Sequence, residues 1–340
     1  MGSKKILLGG AILLVGFNVW VWSGIISPLG ASRGESAIYF LDVGQGDAEL
    51  ITLSTKDSAS LISILIDGGR DKRVLQSLDS AFGSQREKYI DIVILTHPDL
   101  DHLGGLIDVV KRYAVGLFVS NGIDAEKIEF KILKTELEER KIPTLVLGEG
   151  DIIRYGENAL LILSPDEKLK KGKNTNEAGI VALLKTPDAR ALFTADVGFP
   201  AENRLLAKGY DLEADVLKVG HHGSKYSSGE NFIARVKPLI AGIGVGKNSY
   251  GHPTPRVLKT LESSGAHTFT TQEEGTFKIV LNKDFSLPDE ESKPPFASAH
   301  EDESLVSALG AVFFGGYRDS GILTLSLPRA KKEGRAGLSR

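Results

Sequence analysis

No cysteine occurs among the 340 residues. That absence removes disulfide frameworks, thiolate catalysis and cysteine-based zinc sites together, so any transition-metal site in this chain has to be built from histidine and carboxylates. No charge of one sign dominates either: 41 Lys and Arg face 44 Asp and Glu, for a net charge of -3. Such a balance argues against an obligate nucleic-acid coat or a polybasic membrane sensor, while leaving room for a local basic groove. Only one hydrophobic run reaches membrane length, which argues against a polytopic membrane protein. What is present is an ordinary soluble composition, 41% hydrophobic and 25% charged, enough for a sizeable core. The 38 glycines cluster in short turns rather than in a repeat, as suits a loop-rich catalytic scaffold.

The long apolar run is N-terminal. Lys4 and Lys5 precede an uncharged stretch from Ile6 to Ser32, with Trp20 and Trp22 near the far end of its apolar core. A bilayer is spanned by about 20 apolar residues, whereas a signal-peptide core has roughly 7 to 15. Residues 1–35 are therefore expected to be a transmembrane signal-anchor, with the lysines in the cytoplasm and everything after Arg33 outside it. The rivals are a cleaved signal peptide ending near Leu29-Gly30-Ala31, which would make the protein secreted, and a buried core helix.

Beyond that segment, strands and helices alternate. Ten short β-rich runs bounded by Gly, Asp, Asn or Pro are expected strands: 37–43, 48–53, 62–67, 91–96, 116–120, 159–164, 180–185, 191–196, 215–220 and 239–246. Helical spacing marks 72–82, 103–113, 125–140, 200–208, 231–236 and 255–264. The early strands follow one another closely and the later ones alternate with helices, so two packed sheets with helices outside fit better than one doubly wound sheet. The catalytic domain is expected over 36–285, and 286–340 as a linker and flexible C-terminal tail, in which Ile322 to Leu327 alternates like a strand without an assignable partner.

The chemistry begins at Thr96-His97-Pro98-Asp99-Leu100-Asp101-His102. Four ligand-type side chains, His97, Asp99, Asp101 and His102, leave one strand end together, and Gly104-Gly105 relieves crowding where the next helix begins. Imidazole nitrogen and carboxylate oxygen are the donors that hold a hydrolytic Zn²⁺ or Mn²⁺, and so dense a set is costly unless cations neutralise it. The bland reading is a solvated Asp-rich turn capping a helix, for which Asp101 alone would suffice.

This loop resembles the HxHxDH metal signature of the metallo-β-lactamase superfamily, with Asp99 in place of the middle histidine. Leu65 to Gly69 (LIDGG) resembles the superfamily's early Asp-Gly motif, and Phe193 to Gly198 (FTADVG) its metal-bridging Asp motif. A narrower resemblance joins Phe40 to Ile51, Asp215 to Ser228, Gly244 to Pro253 and Glu273 to Ile279 to the hydrolase domain of ComEC-type competence proteins, which import DNA. The resemblance implies an α/β (α+β) fold, a four-layer αββα metallo-β-lactamase-like sandwich, and two divalent metal ions, Zn or Mn.

Carried over residue by residue, the likeness gives His97 and Asp99 to a first metal, Asp101 and His102 to a second, and Asp196 to a bridge between them. His252, or one of His221 and His222, completes the second site. His222 is favoured as the catalytic group, with His221 and Asp101 beside it, and His252 as the ligand. For His221 a packing role is the rival, and for His252 a turn residue beside Pro253. The superfamily's further histidine is missing, and Asn176 stands in the corresponding stretch, which suggests an oxygen-rich site. Asp67 is expected to orient the metal loop rather than to bind metal. Asp47 is a weaker near-site candidate. Ser224, Lys225 and Lys247 could donate to phosphate oxygens, although the lysines also read as ordinary surface charges.

The expected function is a metal-dependent hydrolase of phosphodiesters, DNA or a cell-surface phosphodiester, acting outside the cytoplasm and held at the membrane through the N-terminal helix. The multi-spanning channel of full competence proteins is absent from this sequence, so DNA import by this chain alone is not expected. Alternatives are an ester or lactone hydrolase of the same fold, or a non-catalytic binding module of a DNA-uptake apparatus. A true β-lactamase is least favoured, because the histidine set is incomplete.

Overall fold

The computed structural model describes residues 35–55, 58–83, 88–281, 316–319 and 322–326. The first part of the chain forms β1 (Ala37–Phe40), β2 (Glu49–Thr55), β3 (Ser58–Ile66), α1 (Arg73–Phe82), β4 (Tyr89–Leu95), α2 (Leu100–Arg112), β5 (Ala114–Ser120), α3 (Ile128–Glu139) and β6 (Thr144–Val146). There follow β7 (Ile152–Tyr155), β8 (Asn158–Ser164), α4 (Glu167–Lys170), β9 (Val181–Lys185), β10 (Arg190–Phe193), α5 (Phe199–Ala207), β11 (Val216–Lys218) and α6 (Glu230–Val236). The last elements are β12 (Ile240–Ile243), α7 (Pro255–Ser263), β13 (His267–Thr270), α8 (Thr271–Glu274), β14 (Phe277–Val280), β15 (Gly316–Asp319) and β16 (Ile322–Ser326).

The strands form a nine-stranded sheet, β15-β16-β14-β1-β2-β3-β4-β5-β6, and a seven-stranded sheet, β13-β12-β11-β10-β9-β8-β7. Both sheets pass from antiparallel to parallel pairing along the chain. β1, β2 and β3 pair antiparallel, then β3 to β6 pair parallel. β7 to β10 pair antiparallel, then β10 to β13 pair parallel. Parallel neighbours need a crossover, and the intervening helices α1, α2, α3, α5, α6 and α7 are those crossovers.

Alternation along the strands builds four layers. In β2, Ile51 and Leu53 enter a core shared with Leu160 and Ile162 of β8 and Leu184 of β9, between the sheets. Leu50 faces the other way, into a core with Val74 of α1, Leu106 of α2 and Leu133 of α3. In the second sheet Leu183, Leu192 and Leu217 likewise pack on Leu205, Ile233 and Leu261 of α5, α6 and α7. Helices, sheet, sheet and helices is the αββα order expected from the sequence.

All ten expected strands and all six expected helices are present, with shifted ends. Five strands were expected to run through Val43, Thr96, Asp196, Gly220 and Gly246; they stop at Phe40, Leu95, Phe193, Lys218 and Ile243. Apolar pattern alone cannot sense where ladder hydrogen bonds end, and Thr96, Asp196 and Gly244 lie just past three of these ends. The helix expected from Leu103 begins at Leu100, and the one expected from Ala125 begins at Ile128. β6, β7, β13 and β14 were not among the expected strands; β6 is exposed throughout and carries no alternating signal. The partnerless run near Ile322 is β16, parallel to β14 and antiparallel to β15, so two pieces of the expected tail belong to the first sheet. The expected anchor, the linker and the end of the tail lie outside the described residues. Among the described residues no helix is long and apolar enough to cross a membrane.

Candidate metal centre

β3 and β4 run parallel and end side by side, with Ile66 opposite Ile94. The backbone then turns at Asp67, whose φ is 57°, and its N-H donates to the Ile94 carbonyl at 2.8 Å. The Asp67 carboxylate accepts from the Thr96 N-H at 2.8 Å, the Thr96 hydroxyl at 2.7 Å and His102 Nδ1 at 2.7 Å. Because the hydroxyl of Thr96 donates to Asp67, its contact with His97 Nδ1 at 3.0 Å is one in which the ring donates. Both imidazoles are thereby fixed as Nδ1-H forms with Nε2 lone pairs free, the arrangement found where a ligand's far nitrogen is anchored. The second turn of α2 lies close enough for Gly105 N-H to donate to the Gly69 carbonyl at 3.0 Å. A Cβ at Gly104 or Gly105 would collide with the carbonyl of Arg70 or Gly68, which is why glycines stand there.

The second sheet supplies the rest from the ends of β10, β11 and β12. After Phe193 the chain turns at Ala195, with φ 45°, and presents Asp196. After β11 comes Gly220-His221-His222-Gly223, in which His221 and His222 have φ of 49° and 53°. Two successive left-handed non-glycine residues cost roughly 1 kcal/mol or more apiece. The strain turns neighbouring side chains apart. His222 is buried and its Nδ1 donates to the Gly244 carbonyl at 2.7 Å, while His221 keeps 31% of its side chain exposed.

The two halves meet around Asp196. Its Oδ2 lies 3.3 Å from His102 Nε2, 3.4 Å from His222 Nε2 and 3.7 Å from His221 Nε2. Asp101 Oδ2 is 3.4 Å from His222 Nε2. Ligand-type atoms of Asp47, His102, Asp196 and His222, all buried, lie within 4.8 Å of one another. His97 Nε2, His102 Nε2, His222 Nε2, Asp196 Oδ1 and Asp47 Oδ1 are buried without a hydrogen-bond partner. An unmade bond at a buried polar atom costs about 1–3 kcal/mol, so the three imidazole nitrogens in one place are accounted for by a ligand that takes lone pairs, while Asp196 Oδ1 and Asp47 Oδ1 have Lys218 and His222 beside them. This donor set fits a divalent cation.

The electrostatics agree. Burial alone would raise Asp196, yet His222 and His102 hold its carboxyl well below the usual range. Burial would lower His102 and His222, but Asp196, joined by Asp67 and by Asp47 respectively, holds both well above the ordinary histidine value. His97, with burial and the His102 charge against it, falls to about 4 and is neutral.

Of the residues expected at the site, the structure brings His102, Asp196 and His222 together, with Asp101, His97 and His221 around them. Asp47, expected only nearby, is inside the cluster. Asp67, expected to orient the metal loop, accepts from Thr96 and from His102 Nδ1. His252, expected as a ligand, stands beyond His221, the two rings 5.7 Å apart. Burial, then His221 and His222, lowers its pKa. Asp99 is drawn away from the cluster: its Oδ1 accepts from Lys127 Nζ at 2.6 Å and from Thr175 Oγ1 at 3.4 Å, leaving Oδ2 3.8 Å from His97 Nε2. Asn176 is on a short 3₁₀ turn (Asn176–Ala178), Ser224 is buried with its Oγ accepting from Tyr226 N-H at 3.3 Å, and Lys225 is exposed. Sequence reasoning missed Lys218, Thr96, Lys127 and the Gly244 carbonyl. Only Lys218 left a signal, a charge inside the apolar run of β11.

Comparison with known proteins agrees with this geometry. The family described as Metallo-beta-lactamase superfamily matches residues 62–243. The chain is 29% identical over 289 residues to ComE operon protein 3 of Bacillus subtilis (strain 168), covering 81% of this chain and 36% of that protein. It is 26% identical over 284 residues to competence protein ComA of Neisseria gonorrhoeae, covering 82% and 37%. The chain thus spans little more than a third of these curated relatives. Among solved structures it is similar to the metallo-β-lactamase fold protein YhfI of Bacillus subtilis, with a TM-score of 0.47, 11% identity, and coverage of 72% of this chain and 100% of that one. Matched over more than half its length and carrying a buried donor cluster at the strand ends, the chain belongs to the metallo-β-lactamase superfamily.

Proposed function

We propose that the protein is a phosphodiesterase that cuts DNA or another phosphodiester outside the cytoplasm. In this reading His102, Asp196 and His222, with Asp101 at their edge, hold the metal, and His221 delivers the proton to the leaving oxygen. The roles expected of His222 and His252 are thereby reassigned. The observation that carries the reading is the division between two adjacent histidines, His222 buried with an unpartnered Nε2 and His221 open to solvent 3.7 Å from Asp196.

A divalent cation held by these donors, Zn²⁺ or Mn²⁺, supplies Lewis-acid charge to a phosphoryl oxygen and to an attacking water. A second ion would rest on His97, and would have to draw Asp99 from its pairing with Lys127. Asp67 and the Gly244 carbonyl keep the His102 and His222 rings aimed. A sugar oxygen leaves readily only when it gains a proton, and a positioned imidazole at the solvent side of the centre suits that work. The rim supports a nucleic acid: Tyr226 and Tyr250 are 62% and 71% exposed, and Lys225 Nζ lies 5.0 Å over the Tyr226 ring. Exposed rings stack on bases, and lysines meet phosphates. Likeness to competence proteins supports the same substrate. The uncharged Ile6 to Ser32 run behind Lys4 and Lys5 supports anchoring at the membrane, with secretion as the alternative.

The test is turnover by the purified chain, with Mn²⁺ or Zn²⁺, on single-stranded DNA, bis(p-nitrophenyl) phosphate and an acyl lactone. Metal-dependent cleavage of both phosphodiesters is the expected result. Turnover confined to the lactone makes the protein an ester hydrolase, and metal binding without any turnover makes it a binding module; either outcome overturns the reading.

A further inference from the structure

Lysine is long, strongly hydrated and almost never fully buried without a partner. Among the described residues Lys218, at the end of β11, is the one lysine that is buried, with 1% of its surface exposed. Its Nζ pairs with the Asp47 carboxylate, donates to the Ala195 carbonyl at 2.7 Å and lies 3.8 Å from Asp196 Oδ1. These contacts join the sheets, since Asp47 belongs to the loop before β2 and Lys218 to the second sheet. Asp47 is knitted further into the first loop: its N-H donates to the Asp101 carbonyl at 3.2 Å and its carbonyl accepts from Gly69 N-H at 2.8 Å.

The two oxygens of Asp196 therefore face different cations. Oδ2 is turned to the histidine Nε2 atoms, and Oδ1 to the ammonium. Asp47 is divided likewise, one oxygen on Lys218 and the other, without a hydrogen bond, 3.3 Å from His222 Nδ1. A fixed positive charge thus sits behind the donor set and neutralises carboxylates that a metal would also neutralise.

We propose that the Lys218 ammonium is a built-in counter-cation of the metal centre, a positioning residue that holds Asp47 and the Asp196 loop in place before a metal arrives and competes with that metal for their charge. The proposal rests on the reading of the cluster as a metal centre. A lysine that merely packed would stabilise the metal-free and metal-loaded protein alike. A counter-cation stabilises the metal-free protein more, so by linkage its removal must tighten metal binding.

The experiment compares the chelator-stripped chain with Lys218→Met and Asp47→Asn, reading thermal unfolding with and without Mn²⁺ and the Mn²⁺ dissociation constant by calorimetry. Lys218→Met is expected to melt lower than wild type without metal, to recover part of that loss at saturating Mn²⁺, and to bind Mn²⁺ about tenfold tighter or more, as loss of a like charge a few ångströms away implies. Asp47→Asn leaves the ammonium on Asp196 alone and is expected to bind more weakly than wild type. Unchanged or weaker binding by Lys218→Met, or an equal loss of melting temperature in both states, overturns the proposal. If Lys218→Met does not fold, Lys218→Met/Asp47→Asn, which removes both charges, replaces it; it is expected to bind more tightly than Asp47→Asn, and the reverse order overturns the proposal. Failure of wild type to bind Mn²⁺ or Zn²⁺ sinks the metal-centre reading as well, whereas binding in the wrong order sinks the counter-cation alone.

Discussion

The two histidine-bearing turns of the centre reach similar ends by different physical means. The turn after β4 leaves the backbone of His97 and His102 outside the strained region and orients their rings through side chains, Thr96 and Asp67. The turn after β11 forces His221 and His222 into the left-handed region and orients them largely by backbone, with a carbonyl, Gly244, as the one ring acceptor. Side-chain anchoring aims two rings into one place. Backbone strain does the opposite, sending adjacent residues to different places, and so divides a buried ring from an exposed one.

The sharpest way to break this comparison is His222→Ala against His221→Ala. Loss of His222 should remove bound metal and take hydrolysis toward background, a drop on the order of 10⁴-fold or more given the accelerations enzymes reach. Metal analysis and rates on DNA check it, and full metal occupancy in this variant would place the ligand elsewhere. His221→Ala should keep its metal and lose roughly 10²- to 10⁴-fold in rate, the worth of a positioned acid. That loss should shrink on bis(p-nitrophenyl) phosphate, whose leaving group needs little protonation; an equal loss on both substrates would deny His221 the proton.

The first turn is tested at its anchor. Asp67→Asn keeps the shape but weakens the bond to His102 Nδ1, and metal affinity should fall roughly 10- to 100-fold, as for other anchors of metal-bound imidazoles. Isothermal titration with Mn²⁺ decides it, and wild-type affinity would show that the ring needs no anchor.

The smallest effect concerns the segment that follows the strained turn. Glu202 of α5 accepts from the backbone N-H groups of Ser228, at φ 53°, and Gly229, the latter at 2.9 Å. Burial raises its pKa from 4.5 to about 7, against those hydrogen bonds and Arg256. Between these values the folded protein keeps a proton that the unfolded chain has lost, so stability falls as pH rises across the window, by up to about 1.4 kcal/mol per unit. Glu202→Gln should flatten that slope. Urea unfolding at about pH 5 and pH 7 measures it, and an undiminished slope would assign the pH dependence to another group.

Much of this protein was determined by its sequence alone. The period-2 runs and their helical partners imply two covered sheets, because each strand must bury one face on the other sheet and one on helices. The crowded loop from His97 to His102 announces a cation, because so many ligand groups on one strand end are costly without one. The tertiary structure decided the rest. Asp99 looks like a ligand along the chain, yet Lys127, 28 positions on, takes its carboxylate. His221 and His222 are indistinguishable by spacing and are separated by backbone dihedrals. Lys218 gains its meaning from Asp47, 171 positions away in the loop that leads into the other sheet. Spacing orders donors within one loop; which loops converge, and which charge faces which oxygen, is set by strand pairing and sheet packing between residues that have no proximity in the chain.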